Sequence, residues 1–232
     1  MNLTWDQYRR VADDLELEPA IVKAVAQVES PRGPWIQYRG ERRPSILFEP
    51  HIFYRYSGSR PFSRTHPHLS RKTPLPPGGY GTFTRQWDLY EEAKREGAEV
   101  AAMMSCSWGA FQIMGFNHRA AGYDTVEAFV AAMWESEEHH LRAFGDFLRS
   151  NNLVSLLARR DWAAFARAYN GPAYAKNQYD VRLASAYQSA ASSYAELDIT
   201  PEPRLNIAAV MADLDSIMDR ARRVKDQLAR LQ

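Results

Sequence analysis

The chain has 232 residues, with 29 lysines and arginines against 28 aspartates and glutamates and a formal net charge of +1. A net charge so close to zero provides no long-range attraction to nucleic acid or to a membrane surface, so we expect neither as a partner. The chain has one cysteine, Cys106, which excludes an intramolecular disulfide and a multi-cysteine metal site.

The N-terminal segment predicts a helix and no targeting signal. It lacks the basic and apolar stretches of a signal peptide, and no apolar run in the chain approaches the ~20 residues that span a membrane. Thr4 and Gln7 have the spacing of a capping box. Apolar residues then recur at helical intervals: Trp5, Tyr8, Val11, Ala12 and Leu15. We expect a protein made in the cytoplasm, whose first helix packs against the second.

Residues 19–29 predict a helix that is buried on nearly every side. Pro19 suits the first helical position, and only Lys23 and Gln27 interrupt the apolar residues that precede Glu29. An apolar environment and the negative end of the helix dipole both favour a protonated carboxyl group at Glu29. A carboxyl group that stays protonated near neutral pH is what a general acid requires. The alternative is an ordinary surface glutamate at a helix end.

The middle of the chain predicts one small sheet followed by helices. Residues 35–38 and 45–48 predict the two strands of a β-hairpin with a turn at 39–41, and residues 57–81 predict a long loop. Helices are predicted over 85–95, 98–105, 125–133, 136–150, 153–158, 162–169 and 177–195. The fold class is therefore mainly α with a small β-hairpin.

The C-terminal end predicts a separate extension. The sequence Thr-Pro-Glu-Pro at 200–203 indicates a boundary between a body of residues 1–200 and an extension of residues 201–232. Apolar residues in the extension alternate at intervals of three and four: Leu214, Ile217 or Met218, Ala221, Val224, Leu228 and Leu231. This pattern predicts a helix with a narrow apolar seam, which either self-associates with a second copy or docks on the body.

Two features that suggest other chemistry have simpler interpretations. His139 and His140 follow two glutamates, but adjacent side chains on a helix point about 100° apart and chelate a metal poorly. We therefore expect a solvated helix face and no metal site there. Cys106 and Ser107 have no recognisable histidine and aspartate partners, and a cysteine in an apolar run is typically an inert buried thiol.

Five motifs in order resemble one family. Residues 24–30, 107–114 (SWGAFQIM) and 168–171 (AYNG) are similar to segments of goose-type lysozymes and lytic transglycosylases. The segment 46–53, a glycine-rich loop at 78–81 and the sequence 169–174 add to these motifs. Together they resemble the N-acetylmuramidase domain of phage endolysins over about residues 15–190.

The resemblance implies a lysozyme-like, two-lobed fold and a peptidoglycan substrate that is cleaved without a cofactor. It also implies that Glu29 is the catalytic acid and that Ser30 belongs to the substrate site. The enzyme would act on the cell wall after release from the cytoplasm, as in phage lysis. The resemblance does not extend over residues 200–232, and no separate peptidoglycan-binding domain is evident.

Glu49 is the candidate for a second catalytic group. Glycosidic cleavage requires an acid on the leaving oxygen and a second group that activates water or stabilises the developing positive charge. Glu49 follows the predicted hairpin, where it could line a cleft, and His51 could orient it by a hydrogen bond. The alternative is a structural carboxylate that pairs with Arg42, Arg43 or His51.

The remaining candidate residues would bind the substrate. Gly109 would allow close backbone approach, and the Gln112 amide would bind a sugar N-acetyl group unless it makes a helix-capping contact. Tyr169 and Asn170 lie at a predicted helix end near Glu29, although Tyr169 could belong to the core. Several aromatic residues would suit stacking on sugar rings or simple packing: Trp35, Tyr38, Tyr54, Tyr80 and Trp108.

Three functions from different classes remain open at this point. The first is a muramidase that hydrolyses the β-1,4 bond between N-acetylmuramic acid and N-acetylglucosamine. The second is a lytic transglycosylase that leaves a 1,6-anhydro product. The third is a non-catalytic, peptidoglycan-binding structural module. An acid at the end of so apolar a helix argues against the third, because the helix does not need that carboxyl group for its stability.

Overall fold

The structure is a computed structural model that describes residues 2–30, 33–58, 62–76, 78–171 and 174–197, apart from the side chains of residues 176 and 177. One compact unit extends to Tyr194. The predicted boundary at residues 200–203 and the predicted helix after it lie outside the described residues. No helix in the described ranges is both long enough and apolar enough to cross a membrane.

The unit is mainly helical, as the sequence predicts. Its α-helices, in chain order, are α1 (Trp5–Leu15), α2 (Pro19–Glu29), α3 (Pro50–Tyr56), α4 (Phe62–Thr65), α5 (Phe83–Arg95), α6 (Glu99–Ser105), α7 (Val126–Glu135), α8 (Glu137–Ser150), α9 (Val154–Ala158), α10 (Trp162–Asn170) and α11 (Tyr179–Glu196). Short 3₁₀ helices lie between these elements, at Gly115–Asn117 before α7 and at Tyr174–Asn177 before α11.

In the part of the chain that the structure describes, five short strands form two separate antiparallel sheets. Strands β1 (Trp35–Tyr38) and β2 (Glu41–Pro44) make a hairpin. Strand β3 (Ile46–Phe48) pairs with β4 (Cys106–Trp108), which pairs in turn with β5 (Ile113–Met114). The second sheet therefore joins the segment before Glu49 to the segment around residues 106–114.

The prediction that residues 45–48 form the second hairpin strand was wrong. Arg39 and Gly40 both have positive φ angles, 51° and 85°, which close a tight two-residue turn and place Glu41 opposite Tyr38. The last ladder bond of the hairpin is donated by the Ser45 N–H to the Pro34 carbonyl oxygen at 2.9 Å, while the Ser45 carbonyl oxygen already accepts from the Gly109 N–H at 2.8 Å. The chain then bends so that Ile46 and Phe48 enter the core with β4 as their partner.

The first two helices form as predicted and build the support for Glu29. Thr4 and Gln7 make the capping box at the start of α1, and α1 packs along α2. The apolar residues of α2 are buried together with Glu29 itself: Ala20, Ile21, Val22, Ala24, Val25, Ala26 and Val28. Because α2 is enclosed along its whole length, its C-terminal end holds Glu29 at a fixed place.

Candidate active site

Glu29 is a buried carboxyl group at the C-terminal end of α2. Its residue surface is 9% exposed, and burial raises the pKa of Glu29. A hydrogen bond from Asn170 and the positive charge of Arg182 act in the opposite direction, but burial is the larger effect. Asn170 donates from Nδ2 to Oε1 of Glu29 at 3.0 Å. Oε2 has no protein partner among the described residues, so the proton of the acid form has an open oxygen there.

The end of α10 supplies the residues opposite Glu29. Gly171, with φ of +80°, ends this helix immediately after Asn170. The ring of Tyr169 stacks on Phe165 with centroids 5.6 Å apart and lies edge-on to Phe144. Burial, and secondly the nearby carboxylate of Glu29, raise the pKa of Tyr169, so its phenol stays neutral. Tyr169 therefore both packs on the core and lines the cleft.

Glu49 lies at the junction of β3 and α3 and is anchored through one of its oxygens. Tyr80 donates from its hydroxyl to Oε2 of Glu49 at 2.7 Å. The Nδ1 atom of His51 is 3.2 Å from the same oxygen, close enough for an ion pair if the ring is protonated but not aligned for a hydrogen bond. Burial, and secondly the bond to Glu49, raise the pKa of Tyr80 to about 12. Oε1 of Glu49 has no partner among the described residues.

Two of the three structural partners considered for Glu49 are engaged elsewhere. Arg42 lies 3.7 Å from Glu137, and Arg43 pairs with Glu41 and Glu91. Of those candidates only His51 contacts Glu49, so neither Arg42 nor Arg43 neutralises this carboxylate. The contact with Tyr80 was not foreseen from the sequence, although the glycine-rich loop that carries Tyr80 was recognised as a motif.

The two carboxyl groups line one cleft. The cleft has a volume of about 450 Å³, and its walls also include Ser107, Asn170 and Tyr179. A second hollow of about 410 Å³ reaches Asn117 and Asn151. Four residues line both hollows: Phe111, Gln112, Met114 and Tyr169. The two hollows therefore adjoin along a shared wall, and together we call them the groove; Glu29 lines the first of them.

Gln112 forms part of the groove wall, but its amide is already bonded within the protein. The residue has a positive φ of 51° in the turn between β4 and β5. Its Oε1 accepts from the Ser107 hydroxyl at 2.8 Å, and its Nε2 donates to the Gly109 carbonyl oxygen at 2.8 Å. These bonds hold the turn in shape, which was not predicted. The predicted binding of an N-acetyl group by this amide would require one of these bonds to be exchanged.

Three other predicted substrate residues lie away from the cleft. Trp108 is 1% exposed and donates from Nε1 to the Met103 carbonyl oxygen, so its ring packs in the core and presents no face to a sugar. Ser30 lines a different cavity, with Lys23, because successive side chains at a helix end point in different directions. Gly109 does allow a close approach, but the group that approaches it is the ring of His140.

His140 corrects the prediction of a solvated histidine pair. His139 is partly exposed, whereas His140 is 1% exposed and hydrogen-bonded through both ring nitrogens. The helix α8 turns one histidine outward and the next inward, so the sequence pair has two different environments. No cluster of three or more metal-binding side chains occurs in the described ranges. The single cysteine is buried, and burial raises the pKa of the Cys106 thiol.

Comparisons with known proteins identify the family of this chain. A family model described as Muramidase, N-acetylmuramidase, matches residues 18–191. The crystal structure of the Burkholderia AP3 phage endolysin aligns with a TM-score of 0.73 and 36% identity, covering 82% of this chain and 72% of that one.

A curated relative, the endolysin of Enterobacteria phage PRD1, is 40% identical over 79 residues, which are 31% of this chain and 52% of the relative. The chain thus spans about half the length of that relative. The resemblance predicted from the motifs is confirmed by the family match, which covers the whole cleft from Glu29 to Tyr179. This chain belongs to the N-acetylmuramidase family.

Proposed function

We propose that the chain hydrolyses the β-1,4 bond between N-acetylmuramic acid and N-acetylglucosamine in peptidoglycan. The observation that carries this proposal is Glu29, a buried carboxyl group with a raised pKa that opens into a groove. A buried acid facing a groove is the arrangement that protonates a leaving oxygen. The family match and the endolysin names of its relatives support the same substrate class.

In the proposed mechanism Glu29 is the general acid. Its proton passes from Oε2 to the glycosidic oxygen while the bond to the sugar's anomeric carbon breaks, and the leaving sugar departs as a free hydroxyl. The Asn170 amide bonds Oε1, which fixes the plane of the carboxyl group so that Oε2 faces the groove. The same amide then stabilises the carboxylate that remains after the proton has left.

Glu49 is the proposed general base. A water molecule attacks the anomeric carbon, and Oε1 of Glu49 accepts one of its protons as the new bond forms. Tyr80 and His51 both contact Oε2, so they orient the carboxylate and leave Oε1 free to accept the proton. The proton later returns to Glu29 through solvent, which restores both groups for the next cycle.

The groove fits a polymeric substrate. Its second hollow extends past Gln112 and Tyr169 to the amide side chains of Asn117 and Asn151. Amide groups and aromatic walls suit the N-acetyl groups and the apolar ring faces of amino sugars. A glycan strand lying along this groove would place one glycosidic bond beside Glu29.

Analysis of the products by mass spectrometry tests this proposal against its alternatives. Purified peptidoglycan is digested and the released muropeptides are weighed. Products with a free reducing end support hydrolysis, whereas products that are lighter by one water molecule identify a lytic transglycosylase. Absence of any cleavage by folded protein, under conditions where a known lysozyme digests the same sample, would contradict both.

We also propose that residues after Thr200 are not required for catalysis and that the enzyme acts on the wall after release through a membrane lesion. The cleft residues lie between Glu29 and Tyr179, well before that boundary. A chain truncated after Thr200 should digest peptidoglycan at the rate of the full chain. Its mass in solution, compared with that of the full chain, shows whether the apolar seam between Leu214 and Leu231 self-associates. A truncated protein that is folded but inactive would contradict the proposal.

A further inference from the structure

His140 is a buried polar group that the proposed mechanism does not use. It lies in α8, is 1% exposed, and its ring contacts the turn between β4 and β5. A Cβ atom at Gly109 would come within 2.9 Å of Nδ1 of His140, so this position must be glycine for the ring to fit. The same turn carries Phe111 and Gln112 into the groove. The imidazole is thus a direct support of the groove wall.

The two ring nitrogens of His140 have partners with fixed roles. The backbone N–H of Ala110 donates to Nδ1 at 3.2 Å, because a backbone nitrogen can only donate. The carbonyl oxygen of Met133 lies 2.7 Å from Nε2 and can only accept. Both bonds form when Nε2 carries the hydrogen and Nδ1 carries none. A second proton, on Nδ1, would place two donors against each other.

The surroundings of His140 favour this neutral ring. Burial is the largest effect and lowers the pKa of His140 to about 4. On its own helix Glu137 acts in the opposite direction and His139 in the same direction. From the hairpin Arg42 also opposes a charged ring, and Trp35 packs with its centroid 5.1 Å away. The contacts from α7 and from the turn are the backbone groups of Met133 and Ala110.

We propose that His140 is a positioning residue for the substrate groove: its neutral imidazole holds the Ala110 N–H and thereby fixes the turn that carries Phe111 and Gln112. Protonation of the ring would release the turn while leaving Glu29 and Glu49 in place on α2 and at the start of α3. The effect would therefore fall on substrate binding more than on the chemical step. This inference rests on the proposed function for its link to peptidoglycan, but the contact itself can be measured without any activity.

Two substitutions separate the two bonds of the ring. His140→Asn keeps an acceptor near the position of Nδ1, whereas His140→Gln keeps a donor near the position of Nε2. We expect His140→Gln to raise KM about fivefold to tenfold with kcat changed less, since one ordinary hydrogen bond to the turn is lost. His140→Asn should keep KM close to the wild-type value. His139→Gln, on the exposed neighbour, is the matched control and should change neither constant.

The pH dependence supplies a second measurement. As the pH falls through about 4, the wild-type KM should rise because the folded protein's His140 takes up its proton there, while that of His140→Asn should rise less. The His139→Gln variant should follow the wild type. A KM that is equal for the two His140 variants, or a wild-type KM that is constant through this change of pH, would overturn the proposal.

Nitrogen-15 NMR of the histidine ring and hydrogen exchange at the Ala110 amide test the contact directly. We expect the spectrum of the Nε2–H tautomer in the wild type, and faster exchange at Ala110 in His140→Gln than in His140→Asn. A ring with its hydrogen on Nδ1, or equal exchange in both variants, would overturn the proposal even if neither protein cleaves peptidoglycan. If the contact is found but no cleavage occurs under any condition, it is the proposed function that fails.

Discussion

The carboxyl group of Glu29 accepts a hydrogen bond from the side chain of Asn170, although the two residues are 141 positions apart in the chain. The bond favours the ionised carboxylate, whereas burial favours the protonated acid and is the larger effect. The two influences oppose each other, so the pKa of Glu29 is raised by less than burial alone would raise it. We therefore expect Asn170 to tune the proposed general acid, Glu29.

Replacement of the acid is the first test of this pair. Glu29→Gln keeps the shape of the side chain and its acceptor for Asn170 but removes the transferable proton, so activity should fall by at least ~10²–10⁴-fold. The pKa of Glu29 is raised in the folded protein, so the wild type loses stability as the pH rises from the ordinary glutamate value through that raised pKa. The glutamine variant lacks this loss and should melt at a higher temperature than the wild type at neutral pH. Wild-type activity in this variant would refute the assignment of Glu29.

Removal of the amide should change the pH profile in a defined direction. Asn170→Ala deletes the bond that lowers the pKa of Glu29, so that pKa should rise further. The acid would remain protonated to higher pH, and the basic limb of the kcat profile should move upward. The profile of Ala168→Gly, a substitution two residues earlier in α10, provides a comparison. A basic limb that moves downward in Asn170→Ala would contradict the assigned direction.

The contact between Tyr80 and Glu49 provides a third test. Tyr80→Phe keeps the ring and removes only the hydroxyl group that bonds the carboxylate, so kcat should fall by about tenfold with little change in melting temperature. Glu49→Gln should reduce kcat more strongly, because the proposed base is lost. In the double variant the effect of Tyr80→Phe should disappear, since its partner is already inactive. Additive losses would show that Tyr80 acts independently of Glu49.

Acid conditions should destabilise the protein through His140. Its pKa is lower in the folded chain, about 4, than the ordinary value of 6.5, so the unfolded chain binds more protons between these two values. Stability should therefore decrease as the pH falls through this range, by about 3 kcal/mol in all. Urea unfolding at several pH values measures this dependence, and the slope should be smaller in His140→Asn than in His139→Gln. Equal slopes would contradict the assignment to His140.

The sequence was most informative where the signal is local. The capping box of Thr4 and Gln7 and the apolar enclosure of α2 depend on residues a few positions apart, and both form as predicted. The apolar surroundings of Glu29 were predicted for the same reason, because its apolar neighbours belong to its own helix. The extent of the family resemblance, about 15–190, also agrees with the matched range of 18–191.

The errors concern contacts between distant segments. Strand β3 was assigned to the hairpin because its partner β4 lies about sixty residues further along the chain, where no local pattern indicates the pairing. His140 was placed in solvent because two adjacent histidines look alike in sequence, while only the packing of α8 decides which one is buried. The bond from Tyr80 to Glu49 joins a loop to the end of a strand, and no periodic pattern in the sequence indicates such a contact.

The composition of the cleft also has a consequence for the stage of folding at which the proposed active site is complete. Its walls combine Glu29 and Glu49 from the first quarter of the chain with Tyr169, Asn170 and Tyr179 from near the end of the compact unit. Contacts across so long a stretch of chain form late, because a large loop must close before they contribute. A nascent chain that ends before residue 170 therefore contains both carboxyl groups but lacks Asn170, which bonds Glu29, and Tyr179 of the cleft wall. Under the proposed function, a chain that stops before residue 170 should therefore not cleave peptidoglycan.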